Sequence, residues 1–223
     1  MPTIGNEERK GESCFMIDEK KLQESIDRSE ILNLISKSII TRDSGFWNEL
    51  AECYHSEAEF TSSWWKGKPA DFVKAASEKL NVAREEGGEQ KHVASSHWIV
   101  INGDRATAEC DISLYMRRGI NSVEMDFITW SRRIHLLAKE NGDWKIWRRF
   151  AVYERDRVDA VDPGVDLSEH LDPKELAKYP KQIRLHLWRN QKHGSEPVGD
   201  LCIRGTPQED VVRRKARDWI EGK

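Results

Sequence analysis

No stretch of this sequence is apolar for long enough to cross a bilayer, so no membrane association is expected. Residues 1–21 are polar and charged and lack the apolar centre of a secretory signal. The expected compartment is the cytoplasm. Cysteine is scarce: Cys14, Cys53, Cys110 and Cys202 fall at no paired spacing, and four free thiols are expected in a reducing compartment. Neither a C-x-x-C nor an H-x-x-x-H pattern occurs, so no zinc site is expected. A glycine-rich phosphate cradle is also missing, and no cofactor is expected. The formal net charge is only −3, which gives no global attraction to nucleic acid.

What the chain does have is tryptophan, nine in 223 residues. Trp offers a wide apolar face and one donor, which suits cores and pockets for flat ligands alike. Most should be core or interface. The length fits one generous domain, or a domain with an extension, and can bury a core without staples.

Residues 1–17 read as a mobile arm. From Glu19 to Thr41 the apolar positions recur at helical spacing, with Asp18 placed to cap the start and Asp43-Ser44-Gly45 to end it. A short helix with Trp47 and Leu50 follows. Glu57–Trp65 reads as a strand and Ala70–Arg84 as a third helix. The period then changes to two. Strands are expected over His92–Ile101, Ala106–Met116, Val123–Ala138 and Trp144–Glu154, with turns at Asn102-Gly103-Asp104, Arg117-Arg118-Gly119 and Asn141-Gly142-Asp143. Helices followed by hairpin strands make an α+β fold: a curved antiparallel sheet wrapped around helices, a cone whose concave side is a natural pocket. The expected organisation is the arm, a cone over 18–157 and a helical extension over 158–223. The extension has too few apolar residues for its own core, so it should pack on the cone or on a neighbouring subunit. Its last helix should run Pro207–Glu221, with Thr206 and Glu209 as a capping box.

On residue chemistry alone, Asp43 is an ordinary helix-end carboxylate and His92 an ordinary strand histidine. Three motifs change their weight. The stretch from Ile39 to Leu50 has a helix ending in Asp43 with Trp47 shortly before Leu50. From His92 to Ala108, a histidine opens a strand that leads to a Gly103-Asp104-x-Ala106 hairpin. Asn141-Gly142-Asp143-Trp144 makes the last hairpin. Together these resemble the SnoaL-like group of the nuclear transport factor 2-like superfamily over about residues 20–157. Tyr179-Pro180, Arg184 to Trp188 and Gly205-Thr206-Pro207 are similar to one of its subgroups in the tail.

The resemblance implies cofactor-free chemistry as in scytalone dehydratase, bile-acid dehydratase and hexachlorocyclohexane dehydrochlorinase. His92 would be the base, oriented by Asp43, and Arg149 would match an arginine that handles a leaving group. A phenol that the bile-acid dehydratase carries before its Asp falls here on Ser38, so Tyr115, Tyr54 or Tyr153 would have to supply one. The implied activity is a lyase, a dehydratase or a retro-aldol deformylase, acting on a bulky aromatic or polycyclic molecule such as a lignin-derived aryl-propane diol. Isomerisation through an enolate also fits. A homodimer or homotrimer is implied as well. A non-catalytic ligand-binding cone, or an assembly protein like a dioxygenase β-subunit, is the alternative.

Strand alternation assigns further positions. Trp98 should share the face of His92 and line the pocket, with Trp64, Trp65 and Trp130 next. His97 should face away from His92, and His135 should be solvated or at a subunit contact. Asp111, Ser113 and Tyr115 share one face, interior or exterior. Only one of Arg148 and Arg149 can point inward. Ile128, Trp130 and Ile134 share a face that could meet a partner.

Overall fold

A computed structural model describes residues 18–199 and 201–223; the expected arm over 1–17 lies outside them. Helix α1 (Glu19–Ser44) is capped by Asp18, whose carboxylate accepts from the backbone N–H groups of Lys20 and Lys21. It ends on Gly45, which takes the left-handed conformation (φ 84°) that glycine reaches without a Cβ clash. Helices α2 (Trp47–Ala51) and α3 (Pro69–Glu85) follow, separated by strands β1 (Tyr54–Thr61) and β2 (Lys66–Gly67).

Four long strands then build the wall: β3 (Glu89–Asn102), β4 (Arg105–Ile120), β5 (Val123–Glu140) and β6 (Asp143–Ala160). The spatial order is β2-β1-β6-β5-β4-β3. Neighbours are antiparallel except β1 and β6, which run parallel, so the sheet is mixed rather than wholly antiparallel. The β4–β5 turn is at Asn121-Ser122, both at positive φ (52° and 66°), and not at Arg117-Arg118-Gly119. Two positive-φ residues suit a tight hairpin turn, so β4 runs on to Ile120, four residues past the expected Met116, while β5 starts at Val123 as expected.

Ile31, Ile35, Leu50, Phe72, Leu137 and Ile146 are buried between the helices and the concave face. A charged group borders this core: the Asp27 carboxylate accepts from Trp144 Nε1 (2.9 Å) and meets Lys139 Nζ at 2.9 Å. A β-bulge curves the wall. Between the pairs Ser95↔Asp111 and Trp98↔Glu109, β3 places two residues, Ser96 and His97, opposite the single Cys110 of β4. Ser96, at φ 54°, absorbs the extra residue.

The chain beyond Ala160 packs on both faces of its own cone. Helices α4 (Pro173–Leu176) and α5 (Arg184–Lys192) bury Leu176, Ile183, Leu187 and Trp188 against Met125, Phe127 and Tyr153. Helix α6 (Pro207–Glu221) lies on the outer face, where Val212 and Cys202 cover Ile134 and Val152. Ile134 is therefore buried by the chain's own tail. Trp219 stacks on Trp147 with ring centroids 4.2 Å apart and donates to the carbonyls of Ala106 and Leu137. The expected capping box at α6 does not form. Thr206 Oγ1 donates to Ile203 O, and Glu209 accepts from the Gly205 N–H and pairs with Arg213.

Candidate active site

The end of α1 and the first half of β3 meet across the cone. Asp43 and His92 are 49 residues apart in sequence and bonded twice. His92 Nδ1 lies 2.7 Å from Asp43 Oδ1, and the His92 backbone N–H donates to Oδ2 at 2.6 Å. Burial pushes the Asp43 carboxyl up, but the hydrogen bonds from His92 outweigh it and hold the group below its ordinary range. An ionised Asp43 only accepts, so Nδ1 carries the imidazole proton and Nε2 the lone pair. Burial and the nearby Arg42 guanidinium lower His92 to about 3, and the ring is neutral at physiological pH.

His92 borders a cavity of about 350 Å³. Its apolar wall comes from Trp47, Trp64, Ile112, Leu114 and Met116. Its polar wall includes Thr129 and Ser131 of β5 and Tyr153 of β6. Arg42 Nη1 donates to His92 Nε2 at 3.0 Å, so this guanidinium sits on the lone pair that would take a proton. Arg42 Nε has no partner among the described residues. Tyr153 Oη accepts from the Ser63 N–H and keeps its own proton free to donate.

The tail closes part of this space. His186, Arg189 and Asn190 of α5 line it. His186 is buried between Ser63 Oγ at 2.7 Å and Thr129 Oγ1 at 3.1 Å, and burial keeps it neutral.

Of the residues expected from the sequence, Asp43, His92, Arg149 and Trp64 come together here. Arg149 is buried, lines the cavity and donates to Tyr54 Oη at 3.2 Å, while Arg148 turns outward to Glu57 O and the Trp147 ring. Trp65 packs on Trp64 and Phe72 behind the cavity wall. Four residues stand elsewhere. Trp98 is 65 % exposed, because the bulge at Ser96 inverts the alternation between His92 and Trp98. Past the bulge it is Ile99 that turns inward. Tyr115 is exposed, and Asp111 is on the same outer face in an ion pair with Arg132 (2.7 Å). Trp130 lies under the Arg155 guanidinium on that side as well. His135 is neither solvated nor at a subunit contact. It is buried in the cone, bonded to Ala108 O, and lowered to about 3 by burial and Arg133.

Arg42, Arg133, His186 and Arg189 were not singled out as site residues by sequence, whereas of the three tyrosines named as possible phenols Tyr153 lines the cavity and Tyr115 is exposed. For Arg133 the available signal was alternation: it pairs with Cys110 on β4, next to the inward-facing Ile112. Among the described residues no three His, Cys, Asp or Glu side chains converge as metal ligands.

A profile of the SnoaL-like domain matches residues 23–150. The chain belongs to the SnoaL-like domain family. Among solved structures, a type 2 hexachlorocyclohexane dehydrochlorinase is similar at 18 % identity and TM-score 0.54, with 65 % of this chain and 99 % of that one covered. A type 3 form from Novosphingobium barchaimii is similar at 16 % identity and TM-score 0.52, covering 66 % and 99 %. A protein from Kribbella flavida aligns at 13 % identity and TM-score 0.51, covering 60 % and 95 %. At these identities the likeness establishes the fold, a SnoaL-like α+β cone. No curated protein matches the sequence.

Proposed function

We propose that the protein is a cofactor-independent lyase in which His92 Nε2 removes a proton from a small aromatic substrate. The observation that carries this reading is the Asp43–His92 pair on the wall of a partly open cavity. A carboxylate on Nδ1 fixes the tautomer that leaves Nε2 basic, and it stabilises the imidazolium that forms when the proton arrives. Burial strengthens the attraction between Asp43 and the imidazolium but costs more in lost hydration, so Asp43 offsets only part of the lowering of His92. The bond from Arg42 must first give way, because one lone pair cannot hold both a guanidinium N–H and the substrate proton. Arg149 and the free Tyr153 hydroxyl are the groups available to an oxygen that gains charge or departs. The tryptophan-lined wall and a volume of about 350 Å³ suit one aromatic ring with a short side chain. Elimination of water begins when the base takes a C–H proton and the C–H electrons expel the β-hydroxyl; loss of formaldehyde from an aryl-propane-1,3-diol begins when it takes the terminal O–H proton, and the electrons of the broken C–C bond expel the benzylic hydroxyl.

The test is turnover of aryl-propane diols and aryl β-hydroxy carbonyl compounds without added cofactor, wild type beside His92→Ala. The expected loss in kcat is on the order of 10²–10⁴, the usual worth of a positioned general base. Equal rates in the two proteins would remove His92 from the reaction. Binding of these compounds without turnover would favour a ligand-binding cone.

A further inference from the structure

Three strands carry adjacent arginines whose outward members are satisfied. Arg117 pairs with Asp126 and Arg132 with Asp111, each at 2.7 Å, and Arg148 rests on Trp147. The inward members Arg118, Arg133 and Arg149 line the cavity together with Arg42, Lys79 and Arg189. Among the described residues, none of these six cations forms an ion pair. The cavity's own carboxylates, Glu78 and Glu86, are exposed at its rim, and Asp43 is committed to His92.

The imbalance is sharpest beside His92. Arg133 is 8 % exposed and Arg149 5 %. Arg133 lines the cavity with no carboxylate partner among the described residues, and burial with the Arg149 and Arg42 charges lowers it to about 9. Arg149 keeps one hydrogen bond, to Tyr54 Oη, and packs on the Phe60 ring, but neither buried arginine has a carboxylate. Burying a cation without a counter-charge is costly, and on β4 and β5 the outward Arg117 and Arg132 do have carboxylate partners. A fold keeps such a cost where a ligand removes it.

We propose that the cavity takes a carboxylate-bearing substrate whose anionic group sits on Arg133 and Arg149. This inference rests on the reading of the same cavity as the reaction site and narrows its substrate to an aryl acid. The anion also offers Arg42 an alternative to His92 Nε2, so binding frees the lone pair that the reaction uses.

The test uses the full chain, calorimetric titration, and 3-phenylpropanoate beside its neutral isostere 3-phenylpropanamide. The acid should bind at least about 10-fold more tightly in wild type, a difference of about 1.4 kcal/mol. Arg133→Met should erase that preference by weakening the acid's binding at least about 10-fold more than the amide's. His92→Gln should keep it. Without ligand, Arg133→Met should melt above wild type, whereas removal of an arginine that serves the fold would lower the melting temperature. Arg149→Met gives the same comparison if the first variant does not fold. Equal affinity of acid and amide, binding of neither at millimolar concentration, or a preference that survives both methionine substitutions would overturn the anion seat. Turnover of neutral compounds through His92 with no acid preference would also overturn it while leaving the lyase reading intact. An acid preference without turnover would keep the seat and remove the lyase.

Discussion

Asp43→Asn separates the orientation of His92 from its presence. The amide still accepts from the His92 backbone N–H, but its NH₂ group then faces Nδ1 and donates to it. The imidazole proton moves to Nε2, where it meets Arg42 and where the base should be. We expect kcat to fall by roughly 10³–10⁴ with KM little changed, read by steady-state kinetics. Arg42→Met should raise the His92 pKa, followed by NMR titration. The rise should be partial, because burial is the larger cause of the lowering and the Arg42 charge the second. At this scale Asp43, His92 and Arg149 were legible through the family motifs, since each stands at a marked place: a helix end, a strand start, a strand after a hairpin. Arg42 was not. It neighbours Asp43 on α1, and adjacency on a helix does not say which of two side chains turns toward the sheet.

At the scale of elements, the β3 bulge decides what reaches the cavity. Ser96 holds a left-handed conformation (φ 54°) that a β-branched residue tolerates poorly. Ser96→Val should cost about 1–2 kcal/mol, and Ser96→Gly should be neutral or stabilising, measured by denaturant unfolding. Equal effects would mean that the bulge relaxes without strain. The bulge also explains why alternation placed Trp98 beside His92: period-two reading is sound only until one residue is inserted, and no glycine marks the insertion. Hairpins with Asn-Gly in them were legible, whereas Asn121-Ser122 was hidden behind the louder Arg117-Arg118-Gly119. Helix α6 read correctly from Pro207 to Glu221, and the cone was one of its two expected places; the face it covers was not legible, because its apolar stripe matches any apolar sheet face. Trp219→Ala removes the stack on Trp147 and two hydrogen bonds to β-strand carbonyls. It should cost about 2–4 kcal/mol, seen as a lower unfolding midpoint with an unchanged m-value.

The whole molecule carries its sensitivity to acid in buried histidines. His92 and His135 are lowered to about 3, and His186 well below its ordinary value, in each case chiefly by burial. In the unfolded chain these rings take up protons near pH ~6.5, while in the fold they stay neutral. Unfolding therefore binds protons below that pH. The stability they confer is complete above ~6.5 and is lost as pH falls toward 3, with a slope of up to about 1.4 kcal/mol per pH unit for each. Asp43, held low, acts in the same direction. Asp156, pushed up to about 6 by burial, opposes it between ~3.8 and 6. The melting temperature should fall steadily from pH 7 to pH 4, and His135→Gln should flatten that fall; a flat profile in the wild type would mean that the rings are hydrated. The cone as a whole was legible because helical and period-two patterns follow one another in family order. The cavity was less so, since α5 supplies His186 and Arg189 from a tail whose sequence fits many positions. The most direct measurement of the central claim is exchange of carbon-bound substrate protons with D₂O, followed by NMR for 3-aryl-3-hydroxypropanoates. Wild type should exchange the proton α to the carboxylate, His92→Ala should lose that exchange, and Asp43→Asn should retain only a trace. Undiminished exchange in His92→Ala would contradict the assignment of His92 as the base.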